Sequence, residues 1–195
     1  MKKTLLFLVT ISAVTMIALM GCTRHNYTRD IVEKLQPVEL YESFDVNPVN
    51  LKTLSKCPFP PSVKIVNAET REDGIDMRPD LFSLHYPINP KELTTGIIDY
   101  LKYGFKRSQI DIDESSPKTI KISLEDAKLE RGGWTLGGNV QLKVEIPETR
   151  YVELYSVIEY DIGHGKVMAY AVHKISRQII DDQNIQDYIL CRKGK

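Results

Sequence analysis

The chain has 195 residues, 26 basic and 26 acidic side chains, and a formal net charge of zero. That length suits one domain with a sizeable core and a short extension. The balanced charge excludes the basic excess that a nucleic-acid binder carries.

Lys2 and Lys3 precede a run without charge, Leu5 to Met20, which ends in Gly21-Cys22. A basic start, an apolar middle and a small residue before the end is the order of a secretory signal. The sixteen residues of the run fall short of the ~20 that span a hydrocarbon core. Arg24 and Arg29 are too far apart to form a stop-transfer cluster. Leu19-Met20-Gly21-Cys22 resembles the lipobox of bacterial lipoproteins. The resemblance implies that residues 1–21 are a signal peptide and that Cys22 is acylated after cleavage. Two or more acyl chains hold a protein on a membrane, at about 0.8 kcal/mol per buried methylene. Thr23, where an inner-membrane signal would have Asp, resembles the outer-membrane sorting pattern of Gram-negative hosts. The domain would then face the periplasm or stand on the cell surface. Cleavage removes two lysines and no acid, which leaves 24 basic and 26 acidic residues, near −2.

Residues 22–61 read as the acylated cysteine and a tether, punctuated by Pro37, Pro48, Pro58, Pro60 and Pro61. Fully extended it reaches ~130 Å. Thr28 is placed to cap a short helix through Leu35. A single domain follows over 62–195, opening with a strand at Ser62–Ala68. A polar loop from Glu69 to Asn89 ends in an apolar patch, Phe82–Tyr86. Asn89, Pro90 and Glu92 then mark a helix start. Leu93, Ile97, Ile98, Leu101 and Phe105 form its apolar stripe.

Strict alternation comes next. Ile120, Ile122 and Leu124 share one face, and Val140, Leu142, Val144 and Ile146 share one face of a second strand. Glycines at 132, 133, 137 and 138 join them as an antiparallel hairpin. Residues 151–160 alternate as a further strand. Residues 166–178 fit either a strand or a helix, and the turn signal Gly163-His164-Gly165 favours the strand. Asp181 or Asp182 caps a last short helix carrying Ile185, Tyr188 and Ile189. The predicted architecture is α+β, a two-layer sandwich. Its sheet is mainly antiparallel, with four to five strands, and one long and one short helix cover one face.

Two cysteines remain in the mature chain, Cys57 and Cys191. An exported chain sits where disulfides form. A Cys57–Cys191 bridge would close a loop of about 135 residues, worth ~4–5 kcal/mol in the chain-entropy model. Two separate thiols, one of them buried, is the alternative.

No catalytic constellation is present: no nucleophile elbow, no phosphate-cradling glycine loop and no His-Glu-x-x-His. The four histidines, at 25, 85, 164 and 173, lack metal-ligand spacing. The expectation is a protein that is not an enzyme and holds neither metal nor cofactor.

The lipobox, the strand Val63–Val66 with its acidic, arginine-bearing loop, the helix end Leu101-x-x-Gly104-Phe105 and the strand Ile120–Leu129 together resemble a known group. These are the small outer-membrane lipoproteins with one α+β domain. They include the YajG-like lipoproteins and the auxiliary lipoproteins of ABC transporters. More distantly they include the lipoprotein that plugs the lipopolysaccharide-translocating barrel. The likeness covers most of residues 62–190. It implies a non-enzymatic accessory of an envelope transport complex, with that complex and the membrane as partners. Aromatic residues dominate such contacts. Trp134 at the hairpin tip, an exposed Tyr151 and Tyr155 edge, and the Phe82–Tyr86 patch are the candidate contact surfaces. The competing reading is a carrier of lipid or glycolipid, with Ile97, Leu101 and Val144 lining a groove between helix and sheet.

Overall fold

The computed structural model describes residues 27–35, 60–77, 86–132 and 134–191. The signal peptide, Cys22, Cys57 and residues 81–85 of the predicted patch lie outside the described residues. The helices are α1 (Tyr27–Lys34), α2 (Pro90–Arg107), α3 (His164–Asp181) and α4 (Gln183–Ile189). The strands are β1 (Ser62–Asn67), β2 (Ile75–Asp76), β3 (Pro87–Ile88), β4 (Asp111–Ile112), β5 (Thr119–Gly132), β6 (Thr135–Ile146) and β7 (Tyr151–Asp161).

Five strands form one open sheet in the order β4-β1-β5-β6-β7, and β2 and β3 make a small separate ladder. β5, β6 and β7 are an antiparallel meander. β1 runs parallel to both its neighbours, β4 and β5. The α+β class and the mainly antiparallel sheet therefore stand as expected. The core is one continuous cluster, and residues of α1, α2, α3 and α4 join those of the sheet in it.

α2 forms where its signals place it. The Asn89 side chain accepts the Glu92 N–H at 3.0 Å, and Pro90 opens the first turn. Leu93, Ile97, Leu101 and Phe105 are fully buried, as periodicity predicts. α4 is likewise capped by Asp182, whose carboxylate accepts the N–H groups of Asn184 and Ile185.

Residues 166–178 are the main correction: they are helix, not strand. The buried pairs are Val167 and Met168, Ala171 and Val172, Ile175 and Ser176, and Ile179 and Ile180, with Ala169 buried as well. Such pairs repeat every four residues, which is a helical stripe. A strand would have turned Met168, Val172 and Ile180 away from Val167, Ala171 and Ile175. Gly163 is therefore the residue before a helix rather than the centre of a hairpin turn. Gly137 and Gly138 also belong to β6 and not to a turn. A Cβ on Gly138 would stand 3.0 Å from Met168 Sδ and 3.1 Å from the Val167 carbonyl. The bare backbone lets α3 lie directly on the sheet.

α1 was expected within the tether, yet Ile31 and Leu35 are part of the core. Thr28 does not cap its own helix. Its hydroxyl accepts the Asn89 N–H at 2.7 Å, at the start of α2. The Tyr27 ring meets Tyr86 edge-on, with centroids 4.7 Å apart. Val32 packs so closely on Gly96 that a Cβ there would stand 2.7 Å from it. The folded unit thus begins before residue 62.

Behind β1, Arg71 grips the buried Glu69 carboxylate and donates to the Leu124 carbonyl, where a bulge interrupts the β5–β6 register. The hydrogen bonds from Arg71 hold the Glu69 pKa below its usual range.

Two outcomes follow. In Gly96→Ala the new methyl collides with a short, stiff valine, so α1 should lose amide-exchange protection while the sheet keeps its own. Adding Val32→Ala should restore α1, as a double-mutant cycle would show. The second concerns His173, whose Nδ1 lies 2.7 Å from the Tyr100 hydroxyl between α3 and α2. Burial lowers its pKa, nearby Arg177 adds to this, and Glu159 opposes it. The unfolded chain then binds that proton more readily. The stability is present above the unfolded value near ~6.5 and is lost as pH falls below it. Urea midpoints should drop between about pH 7.5 and pH 5, and His173→Gln should flatten the drop.

Candidate functional site

β7 is the edge of the sheet, hydrogen-bonded to β6 alone among the described strands. Its 11 residues include no proline. One row of its side chains faces the core: Tyr155 and Val157 are buried, Tyr151, Glu159 and Asp161 are half-buried, and Glu153 is exposed. The other row is open. Val152 (56%), Leu154 (54%), Ile158 (40%) and Tyr160 (58%) are exposed, with Ser156 between them. Ile162 continues this row at 81% exposure. An apolar stripe about 33 Å long thus runs along the uncovered face of an edge strand.

β6 supplies the neighbouring row. Glu145, Lys143, Gln141, Asn139 and Gly137 stand opposite Val152, Leu154, Ser156, Ile158 and Tyr160. Within this polar row Lys143 pairs with Glu145. The Tyr160 ring reaches across Gly137, where a Cβ would stand 2.9 Å from its Cε1. Uncharged apolar surface rimmed by polar groups marks interaction sites, and an open strand edge is a template for pairing.

Tyr151 and Tyr155 are not the exposed edge that the alternation suggested. Their hydroxyls lie 3.1 Å from each other, and both donate to Asp182 Oδ2, at 3.1 and 2.8 Å. The other carboxylate oxygen caps α4. Burial pushes the Tyr155 pKa far above the usual tyrosine value, so the group stays a neutral donor. The pair therefore ties β7 to the α3–α4 junction. Trp134 is fully exposed at the β5–β6 tip. Of the predicted Phe82–Tyr86 patch, the described residue is Tyr86, which is buried.

Cys191 follows α4 with a left-handed backbone (φ 52°) and is disulfide-bonded; its partner lies outside the described residues. Lys118 Nζ donates to the Ile189 carbonyl at 2.5 Å and lies 2.8 Å from Cys191 Sγ. A cation at the negative end of α4 is favourable, although burial lowers the Lys118 pKa. Ile97, Leu101 and Val144, the predicted groove residues, are fully buried within the core. Among the described residues no cluster of three His, Cys, Asp or Glu could hold a metal ion. No helix among them is long and apolar enough to cross a membrane.

Asp182→Ala removes a helix cap and the shared acceptor of two buried hydroxyls. Chemical denaturation should show a loss of roughly 2–4 kcal/mol. Tyr151→Phe, with its acceptor still served by Tyr155, should cost under about 1 kcal/mol.

No family model matches the chain, and no curated protein matches it. Among solved structures the chain is similar to protein XCC0632 from Xanthomonas campestris, described as a DUF330 protein. The match is at 9% identity and a TM-score of 0.44, over 61% of this chain and 80% of that one. A likeness at that level says nothing of function.

Proposed function

We propose that this protein is a bacterial lipoprotein anchored through Cys22, in the outer membrane of a Gram-negative host. Its work is to hold another component of an envelope transport assembly, without catalysis. The lipobox-like Leu19–Cys22 supports the anchor. The open β7 stripe is the one observation that supports binding: Val152, Leu154 and Ile158 stay exposed while Tyr155 and Val157 of the other row are core. An edge strand of this kind takes a partner by adding a strand or by covering the apolar row. Such a contact draws most of its energy from a few buried apolar anchors.

In-cell crosslinking of the full-length protein, with mass spectrometry of what it captures, tests the reading. One dominant envelope complex should be captured. Leu154→Lys and Ile158→Lys, both at exposed positions, should abolish the capture and leave the thermal midpoint within a few degrees. Unchanged capture by both variants would rule out β7. Cys22→Ser should move the protein from the membrane to the soluble fraction.

A further inference from the structure

We infer that the end of the domain carrying Trp134 and Ile162 rests on the membrane, with Trp134 seated among the lipid headgroups. This rests on the reading of Cys22 as the anchor.

The strand register places the two residues together. Gly132 pairs with Thr135 at the tip of the β5–β6 hairpin, and Leu136 pairs with Asp161 on β7. Trp134 therefore stands two residues past the last β6–β7 pair, and Ile162 stands one residue past it. Their exposures are 102% and 81%, the highest of the large apolar residues among the described residues.

The anchor leaves the domain one short helix away from this end. α3 begins at His164, directly after Ile162, and the side chain of Lys34 lies against Gly165. The last turn of α1 thus touches the turn that carries Ile162. The helix is about 12 Å long, and its other end is held at Tyr86 and Asn89. Cys22 precedes Tyr27 by only five residues, which span at most about 17 Å. The linker and the helix together keep the Trp134 end within about 29 Å of an acylated Cys22. No long tether intervenes.

The chemistry of the end fits that position. Tryptophan is enriched at the headgroup level because its ring is apolar and its N–H is polar. A tryptophan wholly in water on a hairpin tip loses the burial that would stabilise it. Ile162 adds a second apolar group at the same level. Lys34 and Lys166 stand at this end as well; Lys166 also pairs with Asp161.

Trp134 is the chain's one tryptophan, so its fluorescence reports this site alone. The full-length acylated protein would be reconstituted in phosphatidylethanolamine and phosphatidylglycerol vesicles. Emission should shift to the blue. Bromines on the upper acyl chain should quench it, and iodide in the water should lose most of its access. Emission that stays red and fully quenched by iodide, with the protein vesicle-bound, would overturn the inference and leave the anchor standing. Shielding that is already present without vesicles would also overturn it, since a second copy or another protein then covers the tip. Labelled palmitate, incorporated by the wild type and lost in Cys22→Ser, tests the anchor separately. No incorporation would sink the lipoprotein reading and this inference with it.

Discussion

The close seat of α3 on β6 at Gly138 governs much of the rest. Val167 and Met168 press on that backbone at van der Waals distance. Because α3 lies there, the meander has one covered face, and β7 must send Tyr155 and Val157 inward and Val152, Leu154, Ile158 and Tyr160 outward. The same helix presents its first turn to Lys34 of α1 and ends in Asp182, which starts α4. Every element that positions the candidate surfaces is thus referred to one helix on one sheet. The apolar stripe on β7 is what remains when a single layer of helices covers one face of the sheet and buries the row that carries Tyr155 and Val157.

Much of the architecture was legible because local chemistry and global packing agree there. Asn89, Pro90 and Glu92 announce α2, and its stripe has one period and one buried side. β5 and β6 alternate cleanly, since Lys121, Ser123, Gln141 and Lys143 can only face water. Residues 166–178 were not legible, because Val167, Ala171 and Ile175 satisfy both periods. Small and β-branched residues weaken the distinction further. What decides is the burial of Met168, Val172 and Ile180, and only the packed sheet reveals it.

The candidate surface was half legible. Trp134 was recognised from its place in a glycine-rich tip. Which row of β7 faces the core was not, because Val152, Leu154, Ile158 and Tyr160 form the more apolar row, whereas the inward row carries Glu153, Glu159 and Asp161. The choice depends on Asp182, which lies 27 and 31 residues beyond the two tyrosines and supplies the acceptor that lets their hydroxyls be buried. A distant acceptor of this kind leaves no periodic trace. The helix α1 itself was legible, but its place in the core was not: eight residues within a proline-punctuated segment show that role only when Ile31 and Val32 meet their neighbours.

The carboxylate of Asp182 makes positions 151, 155 and 182 one unit of inheritance. One of its oxygens begins a helix, while the other accepts from two strand residues. A lineage that loses the acid strands two buried hydroxyls at once. It can tolerate the loss only if phenylalanine already stands at 155 and a different cap already starts α4. The order of substitutions is therefore constrained: the hydroxyls must go first and the acid last. The exposed row of β7 shares no such partner, so each of its residues is free to follow whatever surface it meets.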